Sequence, residues 1–503
     1  MSITQLLLSY LDVPTVLIFL IILLFLVAQR KPHRYPPGPL RWPVIGNLPI
    51  VIGAKMQAKD FMKISQKHGS VFSLRLGVLD MVIINGYDAI HEAFSEKAEL
   101  FTGRPHDLIY IIQKGIGKKG LIMNEGPSWH ELRKMIAVAF RDFGVGKKTL
   151  EERILDECQA LFEVLDSKQK AQSIQSTNLQ RTLMSAVSNI ICSITFGDRF
   201  QYTDKQFVKL LDSLARFFRT SALALPENAF PFLRFIRTSS QTEDMIGIQN
   251  DLRDFVRQQV EKHKETFDPD NIRDIVDLYL QVTGKEKRQT KAFSNESMVR
   301  AIVDLFSAGT ETTSLSTTWA ILFLVCYPEI QRELHKEIMQ VIDNGRRPSL
   351  QDKPHLPYVQ AFISEMMRVV NIAPTSVPHV TQDEVELCGY VIPKRTVCTA
   401  NIYSVHMDPK EWPEPEEFRP ERWINKNGEF YKPSKAFLPF SLGPRACLGE
   451  QLARIEFFLF LTSMVQQYEF STPIGAQLPR PFPERSGITT TPPDYELYIM
   501  KRE

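Results

Sequence analysis

The chain holds 503 residues, with 60 Lys and Arg against 58 Asp and Glu for a formal net charge of +2, and 44% of it is hydrophobic. That composition excludes a disordered chain, and so small a basic excess argues against nucleic acid as the main partner. Cys158, Cys192, Cys326, Cys388, Cys398 and Cys447 contain no CxxC pair, which excludes a disulfide scaffold and a structural zinc module and fits a reducing compartment.

Val13–Ala28 reads VPTVLIFLIILLFLVA without a charge, and Gln29, Arg30, Lys31, His33 and Arg34 follow it. At ~1.5 Å per residue this run covers about 25 Å, the short end of a bilayer span, and Leu6–Leu8 would lengthen it. A cleaved secretory peptide is the alternative, but it needs its basic residues before the apolar run. Positive charge after the run holds that side in the cytosol. Residues 1–30 are therefore expected to be an uncleaved, single-pass signal anchor with a lumenal N-terminus and a cytosolic body. Tyr35-Pro36-Pro37-Gly38-Pro39 and Trp42–Asn47 make residues 31–49 a stiff, extended hinge.

Length alone allows three or four domains at about 150 residues each. No Pro/Gly/Ser linker divides residues 50–503, which predicts one catalytic domain, mainly α with a minor β part. Val71–Leu76 and Met81–Asn85 flank Gly77 and Asp80 as a β-hairpin. Gly115, Gly117 and Gly120 spell GxGxxG, but Leu121–Asn124 runs into Gly126-Pro127 where a dinucleotide site needs a helix, so the motif reads as a loop. Trp129 and Arg133 stand at i and i+4, which puts an indole N–H and a guanidinium on one helical face.

Helical spacing continues through Glu151–Leu165, Leu179–Phe196, Lys205–Leu223 and Thr242–Lys264. The Phe- and Pro-rich Ala222–Phe235 is either a bilayer-dipping segment or a buried loop. Ser297–Tyr327 is too apolar for a surface helix, yet Gly309, Thr310, Glu311, Thr312 and Thr313 interrupt it. Such residues cost helix propensity and polar burial, which marks a functional site, or they bond back to i−4 carbonyls and bend the helix.

Glu365 and Arg368 form an ExxR pair, and the apolar flanks Val359, Phe362, Ile363, Val369 and Val370 bury it. Val385–Tyr390, Val391–Pro393 and Thr396–Ala400 suggest a second small sheet, and Leu448–Tyr468 a last long helix. Before that helix come Phe440, Gly443, Arg445, Cys447 and Gly449. The glycines let the backbone turn tightly around Cys447, and the helix N-terminus with Arg445 favours a thiolate there.

That last stretch resembles the FxxGxRxCxG loop of the cytochrome P450 haem-thiolate monooxygenases without a departure. The likeness extends in family order over nearly the whole chain, through Trp129/Arg133, Glu365/Arg368 and Phe418-Arg419-Pro420-Glu421-Arg422-Trp423, where Trp423 replaces the usual phenylalanine. It implies a triangular helical body around a buried haem b (iron protoporphyrin IX). Cys447 would be the axial iron ligand, with Phe440 packed on the sulfur side. Arg104, Trp129, Arg133, His379 and Arg445 would hold the propionates. A helix bend at Gly309 would open a dioxygen groove, Thr312 would supply the hydroxyl that orders a proton-carrying water, and Glu311 would feed protons to it. Glu365, Arg368 and Arg422 would form a structural triad.

Phe140-Arg141-Asp142-Phe143-Gly144 with Gly146-Lys147, and Asp268-Pro269-Asp270-Asn271-Ile272-Arg273-Asp274, resemble the animal microsomal family 2 group. That implies NADPH–cytochrome P450 reductase and cytochrome b5 as partners, the endoplasmic reticulum membrane, and a lipophilic substrate (fatty acid, steroid or xenobiotic). Family positions place substrate contacts in Asp107–Ile116, Arg216–Leu223, Asp304–Ala308, Ala373–Val377 and Ser486–Ile488. Lys134, Arg141, Lys147, Lys148, Lys432 and Lys435 are the candidates for a basic reductase face. The competing reading is a haem-thiolate isomerase or dehydratase that acts without reductase.

Overall fold

The computed structural model describes residues 13–53, 57–142, 148–168, 174–220, 225–285, 293–343, 345–473, 475–483 and 487–502. Helix α1 (Val13–Ala28) leads into the hinge, and α2 (Ala58–His68) precedes the hairpin β1 (Val71–Leu76) and β2 (Leu79–Asn85). The helical body comprises α3 (Gly126–Asp142), α4 (Lys148–Lys168), α5 (Ser176–Thr195), α6 (Lys205–Arg219), α7 (Ser240–Glu265), α8 (Ile275–Lys285), α9 (Asn295–Cys326), α10 (Pro328–Val341) and α11 (Pro357–Val370). Helix α12 (Glu450–Gln467) closes it.

Sequence sets several of these boundaries directly. Asp204 caps α6 by accepting from the Gln206 and Phe207 N–H groups at 2.9 Å, and Ser239 and Ser294 cap α7 and α9. The 32-residue α9 is apolar around nearly its whole circumference, so it is buried. It packs against α5, α7, α10, α11 and α12.

The second sheet differs from expectation. β5 (Val385–Leu387) and β6 (Tyr390–Ile392) pair only with each other, around a turn at Cys388 and Gly389. β7 (Val397–Asn401) instead joins the first sheet, parallel to β2 with Met81 opposite Val397. Strand β7 is buried along its length, so it needs neighbours on both edges. β4 (His379–Val380) takes its other edge, giving the order β1-β2-β7-β4. A third sheet of β3 (Ile174–Gln175), β9 (Glu496–Lys501) and β8 (Tyr468–Ser471) escaped the sequence reading; β8 begins at Tyr468, which had been expected in α12.

Helix α1 spans 16 residues, and most of its large side chains are exposed, from Leu20 and Leu23 at 44% to Phe19 at 64%. Among the described residues no helix is long and apolar enough to cross a membrane. The expected extension through Leu6–Leu8 lies outside the described residues, as do Ala222–Ala224, Lys147 and Ser486. Of the GxGxxG stretch, Gly117–Gly120 is a loop as expected, while Gly115 lies in a π-helical turn, Ile112–Ile116. Gly120 (φ +85°) lies against α9, where an added Cβ would run into Asp304 and Arg300. The Asp304 carboxylate accepts from the Leu121 and Ile122 N–H groups at 2.8 and 3.0 Å.

Candidate active site

The cysteine loop is shaped by two residues in the left-handed region, Ser441 (φ +62°) and Gly443 (φ +76°). A Cβ at Gly443 would strike the Phe94 carbonyl oxygen, so only glycine fits there. The turn closes with Ala446 N–H to Gly443 O and Cys447 N–H to Phe440 O, both at 3.0 Å. Helix α12 starts at Glu450, a little later than expected, with Gly449 as its cap. Burial pushes the Cys447 thiol up, and the Gly449 N–H and then Arg133 act to lower it. The helping cation is thus Arg133, not the expected Arg445. Cys447 remains reachable by solvent although protein crowds it. The Arg454 guanidinium sits 4.8 Å over the Phe440 ring.

Five residues separated widely in sequence converge beside this loop. Arg445 donates to the Thr102 carbonyl at 2.6 Å and the Asn124 carbonyl at 2.7 Å, and its guanidinium stacks 3.6 Å over Trp129. Arg133 donates to the Ala446 carbonyl at 2.6 Å. Arg104 donates to the Ile122 and Pro378 carbonyls at 2.9 Å. His379 bonds the Phe101 carbonyl through Nδ1 at 2.7 Å and stacks on Phe94. Burial, then the neighbouring cations, pulls Arg445 down to about 8; burial likewise takes Arg104 to about 9 and His379 well below its ordinary value. The result is a socket with excess positive charge. Within it the buried Trp129 Nε1 and Arg445 Nη1 have no protein partner.

Between its ends α9 is buried except along one stripe: Leu305, Ala308, Gly309 and Thr312 are partly accessible, at the spacing of a single helix face. Helix α9 runs as unbroken α through Gly309. A Cβ at Gly309 would come within 2.7 Å of Ile191 Cδ1 on α5, so the glycine permits a close helix crossing. Thr312 donates to the Ala308 carbonyl at 2.8 Å, and Ser316, Thr317 and Thr318 bond back in the same way. Glu311 is fully buried with neither carboxylate oxygen partnered, and burial raises it to about 7. Sequence reasoning missed a second such acid, Glu456 on α12, which burial raises to about 8 and which bonds the Thr313 hydroxyl. The signal was a lone carboxylate in the apolar stretch Leu452–Val465.

Beneath the loop, the buried Glu365 takes Arg368 in a two-pronged pair at 2.8 Å and Arg422 at 2.9 Å. Arg419 N–H adds a bond at 3.0 Å. Trp423 does what phenylalanine in that place could not: its indole N–H donates to Glu365 Oε2 at 2.9 Å. Its ring then packs edge-on against Phe437, 4.6 Å away, just ahead of the cysteine loop.

A mainly helical body with a glycine-shaped cysteine loop beside a cationic socket, and a buried helix with a polar belt, defines a haem-thiolate protein. The family model for Cytochrome P450 matches residues 36–499. Human cytochrome P450 2J2 is 39% identical over 475 residues, covering 93% of this chain and 92% of that protein. Rabbit (Oryctolagus cuniculus) cytochrome P450 2J1 is 39% identical over 485 residues, with 95% and 93% covered, and rat (Rattus norvegicus) cytochrome P450 2C23 is 37% identical over 477, with 94% of each. The chain belongs to the cytochrome P450 family, as a haem-thiolate monooxygenase of the animal microsomal family 2 type. The family binds iron protoporphyrin IX through a cysteine thiolate, and P450s are the known example of that ligation. The residues present fit that group: an accessible thiol, and beside it unpartnered buried donors suited to two carboxylates.

Proposed function

We propose that the protein inserts one atom of dioxygen into a lipophilic organic substrate, using electrons from NADPH–cytochrome P450 reductase, with cytochrome b5 as a second donor. Haem, when bound, would supply an iron that activates dioxygen, and the Cys447 thiolate would hold it. Trp129, Arg133 and Arg445, with Arg104 and His379, hold the two propionates; Phe440 shields the sulfur. Thr312 turns its hydroxyl from the Ala308 carbonyl to a water that carries protons, and the neighbouring Glu311 resupplies them.

The observation that carries this reading is Glu311. A buried carboxyl without any partner, held near neutral pH, is costly unless it moves protons. An isomerase or dehydratase would have no use for it. The test is turnover by the reconstituted protein with and without NADPH and reductase, beside Thr312→Ala. Turnover should require both, and Thr312→Ala should divert reducing equivalents to hydrogen peroxide. Coupled turnover by that variant would remove the role given to Thr312.

A lipophilic substrate suits the accessible side chains in the expected contact segments: Leu305, Ala308, Ala373 and Val377. Asp304 and Asp107 leave the expected contact set. Asp304 is committed to Arg300 and the loop N–H groups, and Asp107 pairs with Lys118 and Arg395 at the surface. We place a single-pass anchor at 1–30, the hinge at 31–49 and the catalytic domain at 50–503, in the endoplasmic reticulum membrane with the domain cytosolic. Support comes from an exposed apolar surface formed by α1, Leu40 (68%), Val44 (76%), Val78 (58%), Phe235 (89%) and Ile236 (75%). Two backbone bonds bring these segments together, Gly77 N–H to Ile45 O at 3.2 Å and Val78 N–H to Ala229 O at 3.0 Å.

A further inference from the structure

A pocket of about 340 Å³ opens at the foot of α1, beside the β1–β2 turn. Its polar lining is Arg30, Tyr35, Arg41, Arg75, Asp80, Arg395 and Thr396; the four guanidinium groups face Asp80 within the pocket and Asp107, which pairs with Arg395 at 2.9 Å, outside it. Arg41 is only 2% exposed, yet its Nε has no partner. Its remaining contacts are long: Nη2 lies 3.5 Å from Ser73 Oγ and 3.5 Å from Asp80 Oδ1. A buried guanidinium so weakly compensated calls for a further anion. The Tyr35 hydroxyl is also buried without a partner, and burial pushes its pKa up, so it stays a donor. The excess charge registers on nearby Lys31, which burial and then Arg41 hold at about 8.

We infer that this pocket binds a phosphate group, gripped by Arg30, Arg75 and Arg395 with Arg41 and the Tyr35 hydroxyl behind them, and that in the membrane the phosphate is an anionic phospholipid headgroup. Guanidinium forks arriving from several directions match a tetrahedral oxyanion better than a planar carboxylate. The rim supplies the rest of a lipid's needs, since Leu40, Trp42, Val44 and Val78 are exposed apolar side chains next to α1. Asp80 opposes the anion, so binding should turn Arg41 toward the phosphate. The choice of lipid rests on the anchored topology proposed above; phosphate recognition does not.

The test is isothermal titration of the detergent-solubilised, full-length holoenzyme with dihexanoyl phosphatidic acid, dihexanoyl phosphatidylcholine and inorganic phosphate. Phosphatidic acid should bind saturably, one per chain, and more tightly than the other two. Arg30→Ala with Arg395→Ala should weaken it by roughly tenfold or more, and Tyr35→Phe by several-fold. Arg30 and Arg395 are surface side chains, and an unchanged ferrous–carbonyl spectrum checks that the double variant is intact. Inorganic phosphate binding as tightly as the lipid would uphold the phosphate site and overturn the lipid source. No saturable binding, or equal affinity in the variants, would overturn the proposal. Flotation on phosphatidylcholine vesicles reports on the anchor alone, so its failure is separable.

Discussion

Glu311 is a neutral acid by virtue of its burial, which raises it from 4.5 to about 7. The folded state holds the proton more tightly than the unfolded chain. The associated stabilisation is therefore whole below the ordinary carboxylate pKa and gone once pH has risen through about 7. The same rise should drain the proton supply. The fraction of NADPH that ends in product should fall as pH climbs past about 7, and Glu311→Gln should lower that fraction and flatten its pH dependence. A wild-type coupling ratio unchanged from pH 6 to about 8 would contradict this role. Trp423 offers a cleaner substitution. Trp423→Phe keeps the aromatic ring and removes one hydrogen bond to a buried carboxylate, which should cost about 1.5–3 kcal/mol. Thermal unfolding of the holoenzyme should show it, and the same melting temperature in both proteins would mean the indole N–H adds nothing. Sequence revealed the ExxR pair and the arginine of the later motif, but not this bond, because an indole's donor matters only where the fold aims it.

Among elements, α9 carries the site and shows both the reach and the limit of periodicity. Its apolar circumference announced a buried helix and its polar belt a functional one. Which face each polar residue takes was illegible, since that depends on neighbours contributed by α5 and α12. Gly309 illustrates this, for its missing Cβ makes room for Ile191. Gly309→Ala should destabilise the protein by about 1 kcal/mol, the overpacking outweighing the gain in helix propensity. Ile191→Val removes the offending Cδ1, and in that background Gly309→Ala should be neutral or stabilising. Additive losses in denaturant unfolding of the four proteins of the cycle would rule out the close-crossing explanation. Strands were legible where alternation and a turn marked them, as in β1 and β2. β7 was assigned to the wrong sheet because a short apolar strand does not name its partner. β3, β8 and β9 were missed because they are short and lack clear alternation, and β3 pairs with β9 across about 320 residues.

At the scale of the molecule, a net charge of +2 averages over distinct regions. The socket beside Cys447 and the pocket below α1 are each crowded with arginines, and α3 presents exposed Lys134 and Arg141. Of the other expected docking cations, Lys432 and Lys435 are exposed, Lys147 lies outside the described residues, and the Lys148 side chain is not described. If electrons arrive through this basic face, Lys134→Glu should slow the first electron transfer several-fold at low ionic strength and reduce its salt dependence. Stopped-flow reduction by the reductase measures both, and unchanged kinetics would dismiss Lys134 from docking. Six cysteines in the sequence raised the question of which one matters. The fold buries Cys158, Cys192 and Cys398 as inert thiols, and of the exposed Cys388 and Cys447 only Cys447 stands beside the arginine socket.

A haem-thiolate monooxygenase delivers one atom of dioxygen to its substrate. Once a panel of fatty acids, steroids and drug-like compounds has yielded a ligand that shifts the haem spectrum, turnover of that compound under heavy-isotope dioxygen follows that atom. The product should carry one labelled oxygen atom, only when NADPH and reductase are present. An unlabelled product, or one formed equally well without NADPH, would contradict the account.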